Sequence, residues 1–150
     1  MADNEKNITT NRKARYEYQI IQSFEAGIVL TGTEVKALRQ NKINLVDSYA
    51  TVDLNEVWLV SANIGIYDHG NINNHEPTRK RKLLLNKSEI RKLRKAVNEK
   101  GSTLVPLRFY FKKGKVKVEI AIAQGKKVYD KREDIAKRDE KRSLERQFKL

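Results

Sequence analysis

Cysteine is absent from the 150 residues. Disulfides, cysteine-ligated zinc and thiol catalysis are therefore excluded together. Long hydrophobic runs are missing too: none exceeds about four residues (57–60 and 120–123 are examples), whereas a membrane span needs roughly 20. The first ten residues are polar and mixed in charge, so a signal peptide is not expected. No glycine-rich phosphate loop, nucleophile elbow or paired-carboxylate signature appears, and no catalytic residue is expected. Histidine occurs twice, as His69 and His75, with Asp68 and Glu76 adjacent. Two histidines and two carboxylates are in principle a metal or acid–base set. Their place in an asparagine-rich stretch without periodicity favours plain polar loop residues. These absences predict a soluble, cytoplasmic protein with no metal, cofactor or small-molecule substrate.

What the chain has in excess is positive charge. Thirty-two Lys and Arg face 19 Asp and Glu, a formal net charge of +13, and mean hydropathy is -0.72. The distribution is uneven: residues 61–78 hold no basic and two acidic side chains, while residues 79–100 hold ten and two. Residues 125–150 add ten basic and six acidic groups. Charge on this scale repels itself unless an anionic partner uses it, and nucleic acid is the commonest such partner. A membrane surface would call for a basic helix with an apolar underside.

The apolar pattern predicts six short strands: 16–21, 25–30, 48–54, 56–62, 103–111 and 115–123. Asn55 and Lys113-Gly114 mark hairpin turns. Thr33 is read as the N-cap of a short helix, with Val35 and Leu38 turned inward. Asn86 and Glu89 form a capping-box pattern for a second helix, with Ile90, Leu93 and Val97 as its apolar stripe and Gly101 at its C-terminus. Residues 67–78 read as a long loop. The expected fold is mainly β with helices: a small OB-like six-stranded β-barrel with packed helices over residues 11–127. It follows a flexible N-terminus (1–10) and precedes a basic C-terminal tail (128–150). On a helical wheel Ile135 falls opposite Leu144 and Phe148, leaving the tail no docking face. Acid-before-base pairs such as Glu133 with Lys137 still favour helix. The tail is accordingly expected to be disordered when free and helical when a partner holds it.

Three segments look suited to RNA, with the tyrosines as a fourth candidate set. Asn11, Arg12, Lys13, Arg15 and Tyr16 set basic groups beside an aromatic; Arg79 to Lys82 adjoin Leu83, Leu84 and Leu85; Lys126 and Lys127 follow Gly125 where the barrel ends. The tyrosines, including Tyr18, Tyr49 and Tyr110, are either stacking platforms or barrel packing, and alternation alone leaves both open.

These segments together resemble the SsrA-binding protein (small protein B) family. The resemblance rests on 11–18 (NRKARYEY), 24–27 (FEAG), 32–39 (GTEVKALR), 47–49 (DSY), 77–86 (PTRKRKLLLN) and 125–127 (GKK) leading to Asp130, Lys131 and Arg132. Ala37 departs from it where serine is expected. The resemblance implies an RNA-binding protein that grips the tRNA-like domain of transfer-messenger RNA and brings it to stalled ribosomes for trans-translation. It implies Asn11, Glu25 and Leu84 as gripping positions, with Arg12, Lys13, Arg79 and Lys82 as neighbouring cations. It also implies a tail that lies in the empty mRNA channel near the decoding centre, on ribosomal RNA. That tail carries Asp130, Lys131, Arg132, Ile135, Lys137, Arg138, Lys141 and Arg142. A structural protein of the ribosome or a general RNA chaperone would share the charge and the barrel, and a nuclease stands third.

Overall fold

A computed structural model describes residues 5–67 and 74–125. Nine strands and three helices follow in the order β1 (Glu5–Thr10), α1 (Arg12–Glu17), β2 (Tyr18–Ile28), α2 (Gly32–Arg39), β3 (Ile43–Asn44), β4 (Tyr49–Asp53), β5 (Glu56–Val60), β6 (Asn63–Ile64), β7 (Arg81–Leu84), α3 (Lys87–Val97), β8 (Ser102–Lys112) and β9 (Lys115–Gly125). The main sheet runs β1-β8-β4-β5-β7-β2-β9, and a further β8–β9 pairing closes it. The closed ring therefore has six strands, and β1 lies outside it along β8. The mainly β, OB-like barrel expected from the sequence is what the chain forms.

Its membership differs from the expected set. Residues 16–21 and 25–30 do not make two strands. One strand, β2, runs through both, with a register shift between Ile20 and Gln22 that skips Ile21. A bulge of this kind adds one residue, so the alternation reverses and the sequence looks like two separate elements. The sixth strand is β7, which pairs with β5 and β2. Its Arg81-Lys82 start masks it as a charge run. Glu5–Thr10, expected to precede the fold, form β1, which pairs antiparallel with 108–112 of β8.

Local signals explain the joints. Leu54 and Asn55 both have positive φ, as do Lys113 and Gly114, so both hairpins turn in the form that matches strand twist. The capping box at Asn86 and Glu89 is present. The cap of α2 is Thr31, not Thr33: its hydroxyl accepts from the Glu34 amide, and Glu34 returns the bond to the Thr31 amide. Helix α3 ends at Asn98, and Gly101 (φ 83°) turns the chain into β8. The buried stripe of α3 is Leu93 and Ala96 with Ile90 beside them, while Val97 is 42% exposed.

The barrel interior holds Phe24, Ala26, Val57, Leu59, Leu83, Leu104, Phe109, Val118, Ile120 and Ile122, and α2 and α3 add Leu38 and Leu93 to the same core. A second, smaller cluster lies on the outer side of the wall: Ala14 of α1 packs on Val105, Leu107, Ala121 and Ala123. The bulge between Pro106 and Arg108 makes this possible. It lets Leu107 pack under α1 while Arg108 stands opposite Glu119.

Candidate RNA-binding face

Helix α1 has six residues, too few to hold itself in water, so its position depends on its anchors. Asn11 supplies three of them. Its side-chain oxygen accepts from the Ala14 amide (3.2 Å), its Nδ2 donates to the Pro106 carbonyl (3.0 Å), and its own amide donates to Leu107 (2.7 Å). Asn11 is 7% exposed, and its side chain is committed to holding α1. Arg12 and Lys13 are exposed on that helix, and Lys13 lies between Glu17 (3.9 Å) and Asp47 (3.7 Å). Tyr18 packs against the small outer cluster, so it belongs in part to packing.

From α1 a continuous outer surface runs across β9 and β2 to β7. Arg15 reaches Glu119 (3.9 Å), Glu119 stands opposite Glu25, and Gly27, two residues further along β2, stands opposite Leu84. A Cβ on Gly27 would come within 3.3 Å of the Leu84 Cβ. The glycine thus lets Leu84 lie low over β2. Leu84 itself is 51% exposed, an apolar spot among charges.

Glu25 is held from β8. The Tyr110 hydroxyl donates to its Oε2 at 2.6 Å, and Lys112 Nζ approaches the same oxygen at 3.1 Å. The tyrosine hydrogen bond, helped by Lys112 and Lys117, holds the Glu25 carboxyl below the usual carboxylate range despite its partial desolvation. Burial and the Glu25 carboxylate push the Tyr110 hydroxyl up, so it remains a donor. Arg108 covers the Tyr110 ring at 3.9 Å and binds Glu119 (2.8 Å) and Glu5 (3.3 Å). The result is an ionised carboxylate fixed within a network of donors. Such a group accepts hydrogen bonds from a base edge but has no buried nucleophile or base beside it.

Sequence reasoning missed Arg108, Lys112 and Lys117, and it left Tyr110 open between stacking and packing. Alternation in β9 gives Lys117 and Glu119 one face, but the β8 bulge hides the placement of Arg108.

The basic run 79–82 divides between structure and surface. Arg81 is fully buried and forms an ion pair with the equally buried Glu34, while its guanidinium also donates to Ala62 (2.8 Å) and Pro77 (2.9 Å). Arg79 donates to Glu34 (2.6 Å) and Val29 (3.2 Å), so this expected phosphate contact is already engaged in joining β7 to α2. Lys82 is half-exposed beside Glu56 (3.3 Å). Lys80 lies over the Trp58 ring at 5.2 Å. His75 is buried: Nε2 meets the Ile64 carbonyl (2.8 Å) and Nδ1 meets Thr33 Oγ1 (2.9 Å), which pins the loop end to α2 and β6. Among the described residues no group of side chains could hold a metal ion. His69, Lys126, Lys127 and every tail position from Asp130 to Arg142 lie outside the described residues.

The family model for "SmpB protein" matches residues 8–150. The SsrA-binding protein of Trichodesmium erythraeum is 55% identical over 148 residues, 98% of this chain and 95% of the relative. That of Acetivibrio thermocellus is 56% identical over 150 residues, 99% of this chain and 97% of the relative. Among solved structures, a chain from "tmRNA-SmpB: a journey to the center of the bacterial ribosome" is 46% identical with a TM-score of 0.69, covering 80% of this chain and 85% of that one.

Proposed function

Because this chain belongs to the SmpB (SsrA-binding protein) family, we propose that it binds the tRNA-like domain of transfer-messenger RNA and delivers that RNA to stalled ribosomes for trans-translation. Identity above 50% over nearly the whole length carries this reading. The outer surface from α1 to Leu84 supports it physically. A folded tRNA-like RNA is recognised by its shape, its 2′-hydroxyls and its unpaired loops. A rigid barrel suits that task, because each contact group is fixed before the RNA arrives and little ordering entropy is lost on binding.

Within this reading Glu25 and Leu84 touch RNA. Tyr110 and Lys112 aim the Glu25 carboxylate, while Leu84 offers an apolar seat. Arg12, Lys13 and Lys82 neutralise phosphates. Arg79 contributes mainly by holding β7 against α2, and Asn11 by holding α1. The protein acts by binding and not as an enzyme, and it works in the cytoplasm beside its RNA. Lys126 and Lys127, next in sequence after Gly125, add to the charge offered to RNA phosphates. The tail residues Asp130, Lys131, Arg132, Ile135, Lys137, Arg138, Lys141 and Arg142 occupy the vacant mRNA channel, where the basic groups among them neutralise ribosomal-RNA phosphates.

Sequencing the RNA recovered with the tagged protein from cells tests the assignment. Transfer-messenger RNA should dominate, with ribosomal RNA present in stalled complexes. Uniform recovery with every small subunit would identify a ribosomal structural protein instead.

A further inference from the structure

We propose that a second contact, built from the β4–β5 turn, β7 and one face of α3, receives an unstacked nucleotide of the bound RNA; this rests on the RNA-binding reading above. A cleft of about 670 Å³ lies there, with Leu54, Leu84, Lys87, Arg91 and Arg94 among its walls. That volume falls within the range of roughly 300–1,000 Å³ typical of small-ligand clefts.

Leu54 is the telling residue. It is 90% exposed and sits at the tip of the hairpin with φ 47°. Left-handed backbone there favours Asn, Asp or Gly, and a leucine both strains the turn and leaves its side chain in water. A residue with two such disadvantages does nothing for the free fold. Apolar side chains of this kind act in nucleic-acid binding as wedges against unstacked bases.

The opposite wall supplies the charge. Lys87, Arg91 and Arg94 recur four and three residues apart, so they share one face of α3. Their side chains make no ion pair or hydrogen bond to another described residue. The one acidic side chain of the cleft, Glu56, is met by Lys82 at 3.3 Å. An apolar floor between Leu54 and Leu84 with free cations above it matches a base and its flanking phosphates. An acidic amphipathic protein segment is the competing occupant. It would bury both leucines, but the open, strongly cationic wall favours the nucleotide.

The experiment is a salt series of binding isotherms for the full chain with a transcript of the tRNA-like domain, comparing wild type, Leu54→Asn and Arg91→Gln/Arg94→Gln. Asn suits the turn, so Leu54→Asn should keep the wild-type melting curve and weaken binding about fivefold or more at an unchanged salt slope. The double variant should flatten the log–log slope by about 1.4–1.8, the loss of two phosphate contacts. If both variants match wild type while wild type binds, the cleft does not serve RNA, and the proposal falls in favour of a protein occupant. Failure of wild type itself to bind the transcript would overturn the family-based reading beneath it.

Discussion

Glu34 is buried without exposure in a helix that would normally turn a carboxylate to water. Two arginines and the Thr31 amide explain it. Burial alone would raise its pKa, but hydrogen bonds from Arg79, Thr31 and Arg81 outweigh it and hold the carboxyl below its ordinary value. The unfolded chain therefore takes up this proton first as pH falls. The stabilisation is complete above the unfolded carboxyl pKa of about 4.3 and disappears as pH drops through the lower folded value. Glu34→Gln leaves Arg81 buried without its counter-charge, which should cost about 3–5 kcal/mol at neutral pH. Urea midpoints from pH 7 down to 3 should show the gap between variant and wild type shrinking with acid. A pH-independent gap would mean that the charge of Glu34 is not what matters.

The same residues show what sequence could reveal. Arg79, Lys80, Arg81 and Lys82 look alike in a charge count, yet one is entombed, one braces an ion pair, one lies on Trp58 and one is half-exposed. The two arginines take their roles from Glu34, 45 and 47 residues away, and the two lysines from Trp58 and Glu56, none of which a local pattern identifies. Glu25 and Leu84 were legible only through likeness to a family, because nothing local separates them from other exposed positions. Tyr110, which aims Glu25, was open between stacking and packing, and its burial decides for packing with a polar tip.

At the scale of elements, legibility followed the distance over which the cause acts. The Asn86–Glu89 box and the two turns are written within four residues and formed as expected. Bulges in β2 and β8 arise from packing against strands far along the chain, so the alternation misleads there. Helix α1 is too short for a period and exists because Asn11 and the wall beneath Ala14 hold it. Helix α3 illustrates the energetic side. Leu93 is fully buried between the helix and the barrel, so Leu93→Ala should destabilise by about 2–5 kcal/mol. Val97, one turn further on the expected stripe, is 42% exposed, and Val97→Ala should cost less, about 0.5–1 kcal/mol. Thermal melts of the two variants check this directly. Equal losses would place Val97 in the core.

For the whole molecule, the proposed function divides the work between barrel and tail. Residues 125–150 carry ten basic groups. Removing everything after Asp130 should leave binding to transfer-messenger RNA within about twofold, or roughly 0.4 kcal/mol, since the outer face and its cations remain. It should abolish peptide tagging on stalled ribosomes. Both assays on the same truncated protein decide the matter, and equal loss of both activities would assign the tail to the RNA grip.

Ring closure also has a consequence in time. Gly27 meets Lys117 and Tyr18 meets Gly125, so the seam between β2 and β9 joins parts of the chain made roughly a hundred residues apart. Synthesis at about 5–20 residues per second leaves the emerging β2 edge bare for about 5–20 s. Throughout that interval Glu25 has no Tyr110 or Lys112 to orient it, and α1 has no Ala121 or Ala123 beneath it. A nascent chain thus lacks the assembled face around Glu25 and α1 until its last strand has been made.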